Sequence, residues 1–146
     1  MSRAPSGVFV LHIYRRGELV EVFKEPNLIV VGSQQIQAKL LGGAVTNQSV
    51  TQIGYGTNGT GLAFSNTSLT GAYMKVLDSV SYPNTNQVQF NFSLGVGGTD
   101  TGAHGLAISE FGLLTAAGTL YARKTRSAPL NFDGDVSLSG TWIVSY

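Results

Sequence analysis

The segment Gly54-Tyr55-Gly56-Thr57-Asn58-Gly59 matches G-x-G-x-x-G, the spacing with which a dinucleotide site places a pyrophosphate at a helix N-terminus after a strand. That chemistry needs a helix directly behind the last glycine. Here Thr60-Gly61-Leu62-Ala63-Phe64-Ser65-Asn66 follows, without helical periodicity, so the segment is read as a turn-rich loop. Gly95-Val96-Gly97-Gly98 has no Lys-Ser/Thr pair behind it and is read in the same way.

The titratable residues are scattered. His12 and His104 are the only imidazoles, and neither stands among carboxylates at metal-ligand spacing. Asn131-Phe132-Asp133-Gly134-Asp135 offers alternating oxygens to a calcium ion, but the Gly and the terminal Glu of a calcium loop are misplaced or missing. Glu110 lies in an apolar stretch without a second carboxylate beside it, which favours a salt bridge to Arg123 or Lys124 over a catalytic acid. Arg123-Lys124-Thr125-Arg126 is the densest basic run and is expected to be a solvated strand end, too small for a nucleic-acid footprint. Trp142, Tyr55 and Tyr73 could stack on a sugar, although Trp142 alternates in phase with core positions. Four Asn-x-Ser/Thr matches, at Asn47, Asn58, Asn66 and Asn91, are what an Asn/Ser/Thr-rich composition produces. No residue is expected to be catalytic, cofactor-binding or metal-binding, and no cofactor is expected.

The elements that must carry these residues are strands. The 146 residues suit one domain, 1–146, with an arm at residues 1–7 that is expected to be flexible. Cysteine is absent, and charged residues make up 12% with a net charge of +1, against about 25% charged in ordinary soluble domains. Nineteen glycines and many Ser, Thr, Asn and Gln replace the missing charge. Neither nucleic acid nor membrane is expected as a partner, since no basic field and no span of about 20 apolar residues exists.

Val8–Tyr14 and Leu19–Lys24 flank Arg15-Arg16-Gly17-Glu18 as a hairpin whose first strand is apolar on both faces. Pro26-Asn27 is expected to break the pattern. Ser33 to Leu41 is the one good helix candidate, with Ser33 as N-cap, Ile36, Leu40 and Leu41 on one face, and Gly42-Gly43 as the stop. Strands are expected at 52–55, 74–82 and 87–94, the last with Val88, Phe90, Phe92 and Leu94 turned to a core. A hairpin covers 106–124 around Ala116-Ala117-Gly118, a loop covers 127–135, and a final strand places Val136, Leu138, Trp142, Val144 and Tyr146 on one face. The expected class is mainly β: a single-domain antiparallel β-sandwich or barrel-like fold with one short α-helix at 33–41.

Three parts of the sequence, in this order, carry a resemblance. They are Asn27-Leu28-Ile29-Val30 before a helix ending in Leu40-Leu41-Gly42-Gly43; Ile53-Gly54-Tyr55-Gly56-Thr57 followed by Thr67-Ser68-Leu69; and Ile108-Ser109-Glu110-Phe111-Gly112-Leu113-Leu114 with Gly118-Thr119-Leu120-Tyr121-Ala122-Arg123-Lys124. Together they resemble a group of tailed-bacteriophage virion proteins that includes tail-collar fibre and baseplate-associated proteins. The resemblance covers about residues 27–126 and brings no catalytic residues. It implies a non-enzymatic, homo-oligomeric structural protein of the virion: a tail collar, fibre-base or baseplate part, assembled in the host bacterial cytoplasm. Its partners would be other virion proteins and copies of itself. A capsid decoration or cement protein is the alternative, and a carbohydrate-binding fibre module is a third reading. The doubly apolar N-terminal strand is expected to join a neighbour by strand addition.

Overall fold

In the computed structural model, which describes residues 5–146, the first hairpin forms where the sequence places it. Strand β1 (Ser6–Arg15) returns as β2 (Glu18–Ile29) through Arg16 and Gly17, at φ 53° and 81°. Two successive positive φ values give the turn whose twist matches that of the flanking strands, and the glycine makes the second of them inexpensive. The remaining elements are α1 (Gly32–Leu41), β3 (Val50–Gly56), β4 (Tyr73–Val76), β5 (Ser79–Ser81), β6 (Gln87–Leu94), β7 (Ala107–Thr115), β8 (Leu120–Asn131) and β9 (Val136–Ser145). The fold is mainly β with one α-helix, as the alternation requires.

The chain divides into two compact units. The first comprises Met1–Asn27, Leu77–Ala107 and Leu130–Tyr146. Its sheet runs in the order β2-β1-β9-β6-β5, with antiparallel registers such as Phe9 opposite Trp142 and Trp142 opposite Phe90. Phe9, Leu11, Phe92, Leu94, Leu138, Trp142 and Val144 fill one face of it. The Phe9 ring stacks on Phe92 at 5.6 Å and meets Trp142 edge-on at 4.9 Å. The Cβ of any residue but glycine at position 140 would lie 2.6 Å from the Phe92 ring, so the aromatic layer requires Gly140.

The second unit comprises Leu28–Val76 and Ile108–Pro129. Here β4-β3-β7-β8 form the sheet, and the end of β2 joins it where Leu28 and Ile29 pair with Arg123 and Ala122. Val30, Leu114 and Leu120 form a buried cluster, with Leu28 and Leu69 packed against it. Helix α1 buries Ile36 and reaches β8 through the Gln37 amide, which donates to the Tyr121 hydroxyl at 3.0 Å.

Several expectations are corrected. Ser33 is not the N-cap: the helix begins at Gly32, with Val31 at the cap and no side chain bonding there. Leu41 is 92% exposed and Leu40 also faces solvent, because the buried face of the helix is made by Ser33 and Ile36. Pro26 does not end β2; it sits opposite Val8 in a position that needs no N–H, as proline in a strand requires. The strand expected at 74–82 is two strands, β4 and β5, which pair with β3 and β6 in different units. Strand β8 continues to Asn131, through most of the segment expected to be a loop. Tyr146 is exposed rather than in the core. Of the N-terminal arm, Ser6 and Gly7 belong to β1, and residues 1–4 lie outside the described residues.

The N-terminal strand also departs from expectation. Strand β1 buries Phe9, Leu11 and Ile13 on one face, while Val8 on the other is 37% exposed. Both of its edges are taken, by β2 and by β9, so it has no edge left for strand addition. The outer edge of β2 carries Lys24, Pro26 and a bulge near Val20, devices that blunt an edge against pairing. The terminal strands β4 and β5 are four and three residues long, too short to template much addition.

Candidate functional site

Strand β7 is buried from Ile108 to Thr115, and on it a carboxylate stands where apolar residues would be expected. Glu110 is fully buried, and so is Arg123 of β8, at 0% and 1% exposure. A charge taken out of water so completely must be matched by partners on every side. It is. The Arg123 Nε–H donates to Glu110 Oε1 at 2.9 Å, and the backbone N–H groups of Asn58 and Thr70 donate to Oε2 at 3.0 and 2.8 Å. The other guanidinium nitrogens donate to the Asn58 carbonyl at 2.8 Å, the Asn66 Oδ1 at 3.1 Å and the Thr60 carbonyl at 3.4 Å.

These bonds hold one loop. Between β3 and β4 the chain leaves at Thr57 and returns at Thr70, where the Thr57 N–H and hydroxyl both donate to the Thr70 carbonyl, at 3.0 and 3.2 Å. A surface loop with its ends tied together and its interior filled by its own groups is an Ω-loop. The ion pair grips both ends and the middle of this one. The loop also exposes Phe64, whose carbonyl accepts from the Val31 N–H at 2.8 Å.

The glycines of the signature make room for the clamp. Position 54 lies opposite Gly112, and position 56 lies opposite Glu110. A Cβ at position 56 would run into the Glu110 carboxylate, and one at position 54 would lie 2.5 Å from Leu69 Cδ1. A Cβ at Gly112 would meet Leu69 at 2.8 Å and Leu120 at 2.9 Å. The Gly-x-Gly segment, the Thr67-Ser68-Leu69 segment and both arms of the β7–β8 hairpin thus converge on one packed joint. Glu110 and its pairing across the hairpin were legible in the sequence, but the G-x-G-x-x-G segment, expected to be a turn-rich loop, is strand β3 as far as Gly56 and loop only from Thr57. That Arg123 and Lys124 are buried rather than solvated was missed. The signal was Glu110 itself, since a buried carboxylate demands a buried cation.

The other candidates stay apart from this joint. His12 is half-buried on β1, opposite Val22 and Ser139, whereas His104 is exposed with its ring 5.6 Å from that of Phe132. In the 131–135 segment, Asp133 Oδ1 accepts from the Asp135 N–H at 2.8 Å, and Asp135 meets Arg16 at an exposed 3.4 Å. Among the described residues no group of three or more His, Cys, Asp or Glu is placed to hold a metal ion. Trp142 and Tyr55 are both 0% exposed and belong to different units, so neither presents a ring to a sugar. Tyr55 instead meets Phe111 edge-on at 6.0 Å. An open depression of about 480 Å³ lies at the start of α1, lined by Val31, Gly32, Gln34, Thr67, Thr119 and Leu120 among others. Its known lining holds no charged side chain.

The joint offers no oxygen or nitrogen to a substrate. Both Glu110 oxygens are occupied by donors, and every guanidinium nitrogen of Arg123 donates to an acceptor. What the arrangement does is fix a loop on a sheet. No protein-family model matches this chain, and neither a curated protein nor a solved structure does.

Proposed function

We propose that this chain is a non-enzymatic structural component of a tailed-phage virion, working as a homo-oligomeric tail collar, fibre-base or baseplate protein. One observation supports the reading: two of the three parts that resemble virion proteins, the Gly-x-Gly and Thr67-Ser68-Leu69 part and the β7–β8 hairpin, meet around the Glu110–Arg123 joint, which fixes the loop from Thr57 to Thr70. A signature belonging to a reaction centre would line a cavity; this one sets the shape of a scaffold. The low charge supports the same reading. Large contacts made of uncharged polar residues assemble without desolvating ions.

The stoichiometry of the chain in purified particles tests this. Quantitative mass spectrometry of virions should find the protein at about six, twelve or a few tens of copies, as closed symmetric assemblies on a tail have. Hundreds of copies would move it to the shell as a decoration protein. Complete absence from particles would end the virion reading.

A further inference from the structure

We propose that the outer face of the first unit's sheet is a self-association surface, packed by two-fold symmetry against the same face of a second copy. This deepens the proposed function and rests on its homo-oligomeric part. The register defines the face. Val8 lies beside Ile143 and then Gln89; Val10 lies beside Thr141 and then Asn91; His12 lies beside Ser139 and then Ser93. On the β2 side, Val22 flanks His12, Lys24 flanks Val10 and Leu19 flanks Tyr14. Leu19 and Val22 are 52% and 54% exposed.

Among the described residues of these rows, Lys24 is the one charged side chain, and it stands at the margin. A two-fold contact sets each patch against its own copy, so a charged face would repel itself. This face avoids that. Its apolar side gathers Val8, Val10, Val22 and Ile143. Its polar side is built from hydroxyls and amides, each both donor and acceptor, and therefore able to bond its own copy. The polar side is also held in place beforehand: the Gln89 amide donates to Asn91 Oδ1 at 2.8 Å, Asn91 to Ser79 Oγ at 2.9 Å and Gln87 to Ser145 Oγ at 3.1 Å. Side chains already ordered lose less entropy on association.

Size agrees. Four strands at about 4.8 Å spacing and roughly eight residues at about 3.3 Å each give a projected area of about 500 Å². That is the order of the ~600–800 Å² per partner found in small to standard interfaces. The blunted outer edge of β2 and the short β5 leave this face, rather than strand addition, as the route to a second copy.

The test is the mass of the full chain in solution. Light scattering behind size exclusion should give a dimer that dissociates on dilution. Val10→Lys and Thr141→Lys should each be monomeric with an unchanged circular dichroism spectrum, while Phe64→Ser, outside the face, should remain dimeric. Because the chain lacks cysteine, Thr141→Cys supplies a second readout that survives if the lysine variants fail to fold. Thr141 sits mid-face, and its thiol should give a covalent dimer under mild oxidation. A wild-type monomer at about 100 µM, or folded lysine variants that keep the dimer mass, would overturn the proposal. Either result leaves the particle stoichiometry, and with it the virion reading, untouched.

Discussion

Replacing Glu110 by Gln keeps the shape of the side chain and removes the one anion facing a fully buried guanidinium. The Gln carbonyl can accept from Arg123 or from the Asn58 and Thr70 N–H groups, but its amide nitrogen must then point hydrogens at the remaining donors. Removing one partner of a buried pair costs about 3–5 kcal/mol, because the other charge stays buried and uncompensated. With a urea dependence of about 2 kcal/mol per molar, the unfolding midpoint should fall by roughly 1.5–2.5 M. Arg123→Met should cost a similar amount. The double variant, which leaves no lone charge, should be less destabilised than the sum by about 0.5–3 kcal/mol. Amide exchange at Asn58 and Thr70 should accelerate, since each keeps at best a neutral carbonyl in place of the carboxylate. A midpoint shift below about 0.5 M, strict additivity of the two changes, or unaltered exchange at both amides would refute the assignment of this pair as the clamp of the loop.

The remaining predictions concern space and hydrogen bonding. Gly56→Ala should displace the Glu110 carboxylate and, measured in the same urea titration, should add little to Glu110→Gln because both changes disable one clamp. Gly140→Ala drives a methyl into the Phe92 ring and the Val10 carbonyl; overpacking of this kind costs about 1–3 kcal/mol, so the melting temperature should drop by roughly 2–12 °C for a chain of this size. Trp142 is fully buried, and its indole N–H has no hydrogen-bond partner among the described residues. Trp142→Phe removes that orphan donor and should cost well under the ~3–5 kcal/mol expected of Trp142→Ala, a difference that calorimetric melting of the two variants would show.

Alternation along a strand is a local property, and what depends on it was legible in the sequence. Gln87–Leu94 appears as β6 with Phe90, Phe92 and Leu94 inward, and Trp142 is buried in phase with Leu138 and Val144. The first hairpin and its Arg16-Gly17 turn follow from residue types with known φ preferences. The pairing of Glu110 with Arg123 was also within reach, because a hairpin brings its two arms together whatever the rest of the chain does.

Other features were decided by residues far away in sequence. The basic run at Arg123 reads as a strand end, because nothing near it in sequence reveals that a loop some sixty residues earlier will fold over it and supply the Asn58, Thr60 and Asn66 oxygens. Pro26 reads as a break, because only the partner strand decides whether its missing N–H is needed. The 74–82 stretch reads as one strand, because its division between β3 and β6 belongs to the sheets and not to its own residues. The same holds for the glycines at 54, 56 and 112: the sequence by itself determined that the chain is β-rich, glycine-rich and nearly free of charge, but small residues are consistent with any loop. Only the tertiary structure turned them into the floor of a buried ion-pair joint, since a charge is kept out of water only when distant segments close over it and satisfy every one of its hydrogen bonds.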